Sequence, residues 1–350
     1  MAWIFGDSMD LYDSLADMVE AGWQYSSSSI SVAVGLGRFG GNAVRVARSD
    51  VPWWIRRVFA ITGNEIGIQA AFSHQLLSEI TSAQRFLEVR NNSAVDLCFS
   101  LYMLPTGALQ LRSSANTIIA TSSGGIIKED QWQYLEIWAL INNAGTVRVL
   151  IDGVQIFNES VDTSLANTDV DAITYYGSGG GSGTNGILWD DFVIMDGSGA
   201  QFNALLGDSR YDDLVPNEDV IETAWTCSSG FDRFAMIDDS IPGDHDGDAT
   251  YIEASGAGEE VRCGFAALLA GSSTVHGVIV ATAMKKTDSG AITARALINS
   301  NGTEQVGATQ SPTTTYQTLR DYFELDPDGG GTAWSPAAVN ALEAGVEVVA

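Results

Sequence analysis

Cationic side chains are scarce in this sequence: 17 Lys and Arg stand against 44 Asp and Glu over 350 residues, a formal net charge of −27. Binding nucleic acid requires cations that replace the phosphate counterions, so no nucleic-acid partner is expected. An anionic membrane surface is disfavoured for the same reason. Three cysteines, Cys98, Cys227 and Cys263, are too far apart and odd in number for a disulfide framework or a Cys-x-x-Cys motif. They suit a protein matured in a reducing cytoplasm. His74, His245 and His276 are dispersed, which speaks against zinc. No apolar run approaches the ~18 residues of a membrane span, so no membrane insertion is expected. The opening Met1-Ala2-Trp3-Ile4-Phe5-Gly6-Asp7 carries no base and only a three-residue apolar run, so no secretory signal is expected there.

What is abundant is glycine, 37 residues against 7 prolines, set between short alternating apolar runs every eight to twelve residues. That is the rhythm of an antiparallel all-β sandwich. Asp152-Gly153 joins two alternating segments, Thr146–Ile151 and Val154–Phe157, and supplies the two positive-φ positions of a type I′ hairpin turn. Gln131–Ile141 places Leu135, Ile137, Ala139 and Ile141 on one face and reads as a central strand. Further strands are expected at Ala43–Arg48, Ile66–Ser73, Arg85–Arg90, Leu97–Leu104, Ala108–Arg112, Thr117–Thr121 and Ile187–Met195. Helices are few. One fits Asp13–Ala21, with Gly22 as its left-handed cap, and one fits Ala337–Ala344. For the second, Ser335 is the cap, Pro336 the first helical residue, and Gly345 the end before a strand Val346–Val349.

At roughly 100 to 200 residues per domain, 350 residues predict two. Alternation is lost after Met195, and residues 1–207 carry 21 acids and 10 bases against 23 and 7 in residues 208–350. The boundary is therefore placed between 207 and 208. The expected architecture is mainly β: a larger β-sandwich followed by a second, smaller β-sandwich with a short C-terminal helix.

Several motifs invite chemistry. Gly35-Leu36-Gly37-Arg38-Phe39-Gly40 matches a dinucleotide-binding turn, but Asn42–Pro52 alternates as a strand where that fold needs a helix, so a glycine-rich turn is expected. Asp238–Asp248 holds five carboxylates in eleven residues, and Asp244, Asp246 and Asp248 are the candidate ligands for Ca2+, without EF-hand spacing. Glycoside hydrolysis needs two carboxyls flanking one bond at ~5 to 9.5 Å, and Asp190-Asp191, adjacent on a strand, are expected to point to opposite faces. With no Gly-x-Ser-x-Gly elbow and no Gly-x-x-x-x-Gly-Lys loop either, no catalytic residue is assigned and the chain is expected to be no enzyme. Trp53 and Trp54 cannot both face inward, so one is exposed or covers an edge.

Phe5-Gly6-Asp7-Ser8-Met9-Asp10-Leu11-Tyr12, Gly37–Val46, Trp132–Glu136, Ile151–Val154 and Trp189-Asp190-Asp191-Phe192 together resemble a laminin-G-like or concanavalin A-like jelly roll of tailed-bacteriophage structural proteins. Leu206–Arg210, Val215-Pro216, Ala224-Trp225, Phe234–Asp238 and Ala333–Val346 resemble the second module of such proteins. The resemblance implies a virion protein on the particle exterior, tail-associated and host-contacting or head-decorating, assembled in the host cytoplasm. It further implies other virion proteins as partners, a homo-oligomer such as a trimer, and a host-surface glycan as ligand. It carries over no catalytic, cofactor or sugar-binding residue. The alternative is a free carbohydrate-binding module or a polysaccharide depolymerase on the same sandwich.

Overall fold

The computed structural model describes residues 3–27, 29–48, 52–61, 63–91, 95–164, 170–178, 185–239, 245–269, 271 and 274–350. The chain divides into two compact units, Met1–Tyr211 and Asp212–Ala350.

The first unit is a sandwich of two antiparallel sheets. In sheet I the strand order is Val154–Val161, Gly145–Ile151, Trp132–Leu140, Glu65–His74, Gly186–Met195, Ala43–Ala47, Ile30–Ala33, with Trp3–Asp7 also paired to Gly186–Met195. In sheet II it is Ile118–Thr121, Leu109–Arg112, Asp96–Met103, Gln84–Asn91, Ala172–Tyr176, Trp54–Val58, Trp23–Tyr25. Nearly every expected strand forms, because alternation buries one face of each: Leu135, Ile137 and Ala139 join the core from one strand, Val147, Val149 and Ile151 from its neighbour. The hairpin turns at Asp152 (φ 51°) and Gly153 (φ 73°), and the Asp152 carboxylate also accepts the Tyr134 N–H at 2.8 Å. This is the antiparallel β-sandwich that the alternating runs predict.

A chain of aromatic rings stitches the layers. Phe72 meets Phe86, Phe86 meets Trp189, Trp189 meets Tyr175, Tyr175 meets Phe192 and Phe192 meets Trp23, all with centroids 4.8 to 5.0 Å apart. Rings from sheet I alternate with rings from sheet II, so the offset and edge contacts add to burial at the seam between layers. Helix Leu15–Glu20 is shorter than expected and starts with a capping box in which Ser14 and Asp17 satisfy each other's backbone N–H groups.

In the second unit the strand order is Pro216–Thr223, Glu260–Phe265, Glu343–Val348, Ala294–Ser300, Thr303–Val306. A second layer, Val278–Met284 paired with Gln317–Phe323, sends Val280 and Phe323 against Ala296, Ile298 and Ala344. Two-stranded Thr226–Cys227 and Ile252–Glu253 lie outside that pair of layers. The C-terminal helix covers only Pro336–Asn340, and Gly345 lies inside the strand Glu343–Val348 instead of ending the helix. The reason is steric: a Cβ on Gly345 would lie within van der Waals radius of the Val261 carbonyl, so glycine is what lets the two backbones pair.

Candidate functional site

On the strands of sheet II, the residues between core positions face outward. Register then sets them in rows. Gln24 lies opposite Arg56, Arg56 opposite Thr174, Thr174 opposite Glu88, Glu88 opposite Ser100 and Ser100 opposite Arg112. Five strand spacings of about 4.8 Å make this row roughly 24 Å long. Beside it, Trp54 lies opposite Tyr176, Arg85 opposite Tyr102 and Tyr102 opposite Gln110.

The face is built of rigid planar groups held by one another. Glu88 is 2% exposed and is its hub, accepting from the Arg90 Nη2 at 2.8 Å, the Arg90 Nε at 3.0 Å and the Tyr176 hydroxyl at 2.5 Å, with the Arg85 Nε 3.4 Å away. Arg112 lies flat over the Tyr102 ring at 3.7 Å and donates to Gln110 Oε1 at 2.8 Å. Arg56 stacks on Trp54 at 4.3 Å and donates Nε to Thr174 Oγ1 at 2.9 Å. Burial lowers the Arg56 pKa, and the neighbouring Arg90 pushes in the same direction, against Tyr176, Glu88 and Asp171. Burial, then the Glu88 charge and hydrogen bond, push the Tyr176 hydroxyl up, so it stays a donor. Four of the ten bases in residues 1–207 sit on this face.

A second polar cluster lies on the outer side of sheet I, beneath the chain that follows the last strand. Asp190 Oδ1 accepts from the N–H groups of Met9 (3.3 Å) and Asp191 (2.8 Å), and its Oδ2 from that of Arg38 (2.9 Å). Asp191 accepts from the Tyr211 N–H at 3.2 Å, and its other oxygen lies 3.6 Å from the Arg38 guanidinium, which also pairs with Asp208. The two carboxyls therefore converge on Arg38 and do not diverge to opposite faces. A bulge between Asp190 and Val193, with Asp191 at φ 49°, breaks the two-residue period that would have separated them. Burial, and for Asp191 the adjacent Asp190 charge, raise the pKa of both. The covering chain is pinned further on, where the Gly207 N–H donates to buried Glu136 at 3.0 Å and Phe202 stacks on Trp3 at 4.3 Å.

Of the candidate calcium ligands, Asp244 lies outside the described residues. Asp246 accepts the Thr250 N–H at 3.0 Å and hydroxyl at 2.7 Å, while Asp248 pairs with Lys285 and accepts the Tyr316 hydroxyl at 3.1 Å. Those bonds hold both carboxyls below their ordinary pKa. Among the described residues no group of three or more His, Cys, Asp or Glu is arranged to hold a metal ion. The glycine-rich segment is a turn, with Gly35 and Gly40 at positive φ, running into the strand Ala43–Ala47. Trp53 packs partly against the core, and Trp54 is the outward one of the pair.

Of the residues of the sheet II face, only Trp54 stands out in the sequence, as one of a tryptophan pair that cannot both face inward. Their alternation with core residues was readable strand by strand, as in Trp54-Ile55-Arg56 and Gln110-Leu111-Arg112. What alternation does not carry is which strands are neighbours, and strand order is what gathers the arginines.

No family model matches the chain, and no curated protein matches it. Among solved structures it is similar to a sialidase, at 12% identity over 55% of this chain and TM-score 0.39, of which it spans only 18%. It is similar to the alginate lyase Aly36B bound to an alginate trisaccharide, at 11% identity, with 56% of this chain and 98% of that one covered and TM-score 0.40. A Bacillus subtilis protein of unknown function with a galectin-like fold is similar at 9% identity, with 56% and 96% covered and TM-score 0.38.

Proposed function

We propose that the chain is a glycan-binding virion protein: a non-enzymatic β-sandwich on the exterior of a tailed-bacteriophage particle that meets sugars with the outer face of sheet II. The observation that carries the glycan-binding part is the pair of rows from Gln24 to Arg112 and from Trp54 to Gln110. Sugar hydroxyls are met by planar groups that donate and accept in fixed directions, and this face supplies guanidiniums, the Gln110 amide, the Thr174, Tyr102 and Tyr176 hydroxyls and one carboxylate, each oriented by a neighbour. Within the rows Glu88 is the sole carboxylate, whereas glycoside hydrolysis takes two, so the face supports binding without cleavage. The particle placement rests on the resemblance of Phe5–Tyr12, Gly37–Val46 and Trp189–Phe192 to tailed-phage structural proteins.

Two measurements test this. Purified protein applied to a glycan array is expected to bind, and the Tyr102→Ala/Gln110→Ala double variant, folded by circular dichroism, to lose at least tenfold in affinity. Equal binding by the variant would move the site elsewhere. Labelled antibody against the chain is expected to decorate intact particles, and unlabelled virions would refute the surface placement.

A further inference from the structure

Resting on that glycan reading, we infer that the sugar bound by this face is anionic, and that its carboxylate seats between Arg85 and Arg112 above Ser100. The face concentrates four guanidiniums against Glu88, with Asp171 also acting on Arg56, on a chain whose net charge is −27. Glu88 answers only part of that charge. Arg90 is fully committed, its remaining Nη1 donating to the Val95 carbonyl at 2.9 Å. Arg85 uses its Nε toward Tyr102 at 3.3 Å and Glu88, and its side chain is 41% exposed. Arg56 uses only Nε, and Arg112 uses Nε and Nη1, the latter toward Asn116 at 3.3 Å. The outer nitrogens of Arg56 and Arg85 and one of Arg112 thus have no acceptor among the described residues.

Ser100 is the independent sign of a missing partner. It is 0% exposed, lies in register between Glu88 and Arg112, and its hydroxyl makes no hydrogen bond among the described residues. A buried hydroxyl left unpaired costs free energy, and so do guanidiniums crowded without counter-charge. One group discharges both: a carboxylate offers two acceptor oxygens, which match a guanidinium fork and still leave a lone pair for a hydroxyl. Nucleic acid fits less well. The aromatic rings here are Trp54 and Tyr102, each covered by an arginine, and nearly buried Tyr176, which leaves little platform for stacked bases.

The test is titration calorimetry of the full chain with oligogalacturonate, oligoalginate and sialyllactose, each beside its carboxyl-reduced counterpart, with sulfated dextran and single-stranded DNA as further probes. The expected result is that at least one acidic sugar binds, that carboxyl reduction weakens it at least tenfold, and that Arg85→Gln/Arg112→Gln removes the same factor. Ser100→Ala is expected to weaken acidic-sugar binding with no loss of thermal stability, which keeps the inference testable where the double variant fails to fold. If reduced and acidic sugars bind equally and the variants lose both, the anionic inference falls and glycan binding stands. Sulfated dextran binding in preference to every carboxylate would overturn the carboxylate assignment. Binding of DNA alone, or of none of the probes, would overturn both.

Discussion

Cys98 and Cys263 are buried, and burial pushes both thiols up to about 12, whereas Cys227 is half-buried. Alkylation goes through the thiolate, so iodoacetamide at pH 8 is expected to label Cys227 first and the other two only after unfolding in urea. Labelling of native Cys98 at the rate of Cys227 would contradict the packing of its strand. Asp191 makes the opposite kind of statement, a charge that the fold tolerates at a cost. A carboxyl whose pKa is raised by folding binds more protons in the native state, so its contribution is most favourable below the unfolded value near 4 and is lost as pH rises through the raised one. Asp191→Asn keeps the acceptor for the Tyr211 N–H and suits the positive φ. It is therefore expected to stabilise by about 1 kcal/mol or more at pH 8, one pKa unit being worth about 1.4 kcal/mol, with the gain vanishing toward pH 4. Melting curves of the two proteins across that range decide it, and a gain independent of pH would assign the effect to backbone strain instead.

At the scale of elements, local chemistry was legible where it is self-contained. The Asp152-Gly153 turn, the Gly22 cap at φ 89° and the Ser335-Pro336 helix start follow from two to four residues each, and all form. It was not legible where a neighbour from far along the chain decides. Gly345 reads locally as a helix end, but pairing with Arg262 on one side and Leu297 on the other draws Glu343–Val348 into the sheet. Asp190 and Asp191 read as alternating strand residues, and the bulge that joins them is visible only once Ala71 and Gln69 are known to be opposite. Gly345→Ala tests the first case: overpacking of this kind typically costs about 1 to 3 kcal/mol, to be seen as a lowered melting temperature of the second unit. An unchanged melt would mean that the strands separate there at no cost.

For the molecule as a whole, the question is where the first unit ends. Every buried member of its core lies between Phe5 and Ile194, and the second core draws on Leu214 and residues beyond it, so each unit buries its own apolar side chains. The sequence places the boundary at 207/208 from loss of alternation, but residues 208–211 stay with the first unit. Arg38 pairs with Asp208, and the Tyr211 hydroxyl donates to the Phe192 carbonyl at 2.8 Å. A strand-counting truncation after Met195 would keep every strand of both sheets and yet remove the chain that covers the outer side of sheet I. It would strip Phe202 from Trp3, worth about 1.5 to 3 kcal/mol by burial alone, and uncover Gln69, Glu136 and the Asp190–Asp191 pair. A fragment of residues 1–211 is therefore expected to fold and to bind the same glycans as the full chain, while residues 1–195 are expected to be destabilised and prone to aggregate. Near-ultraviolet circular dichroism and light scattering of the two fragments separate them, and a well-folded, monodisperse 1–195 fragment would show that the segment after Met195 is dispensable to the sandwich.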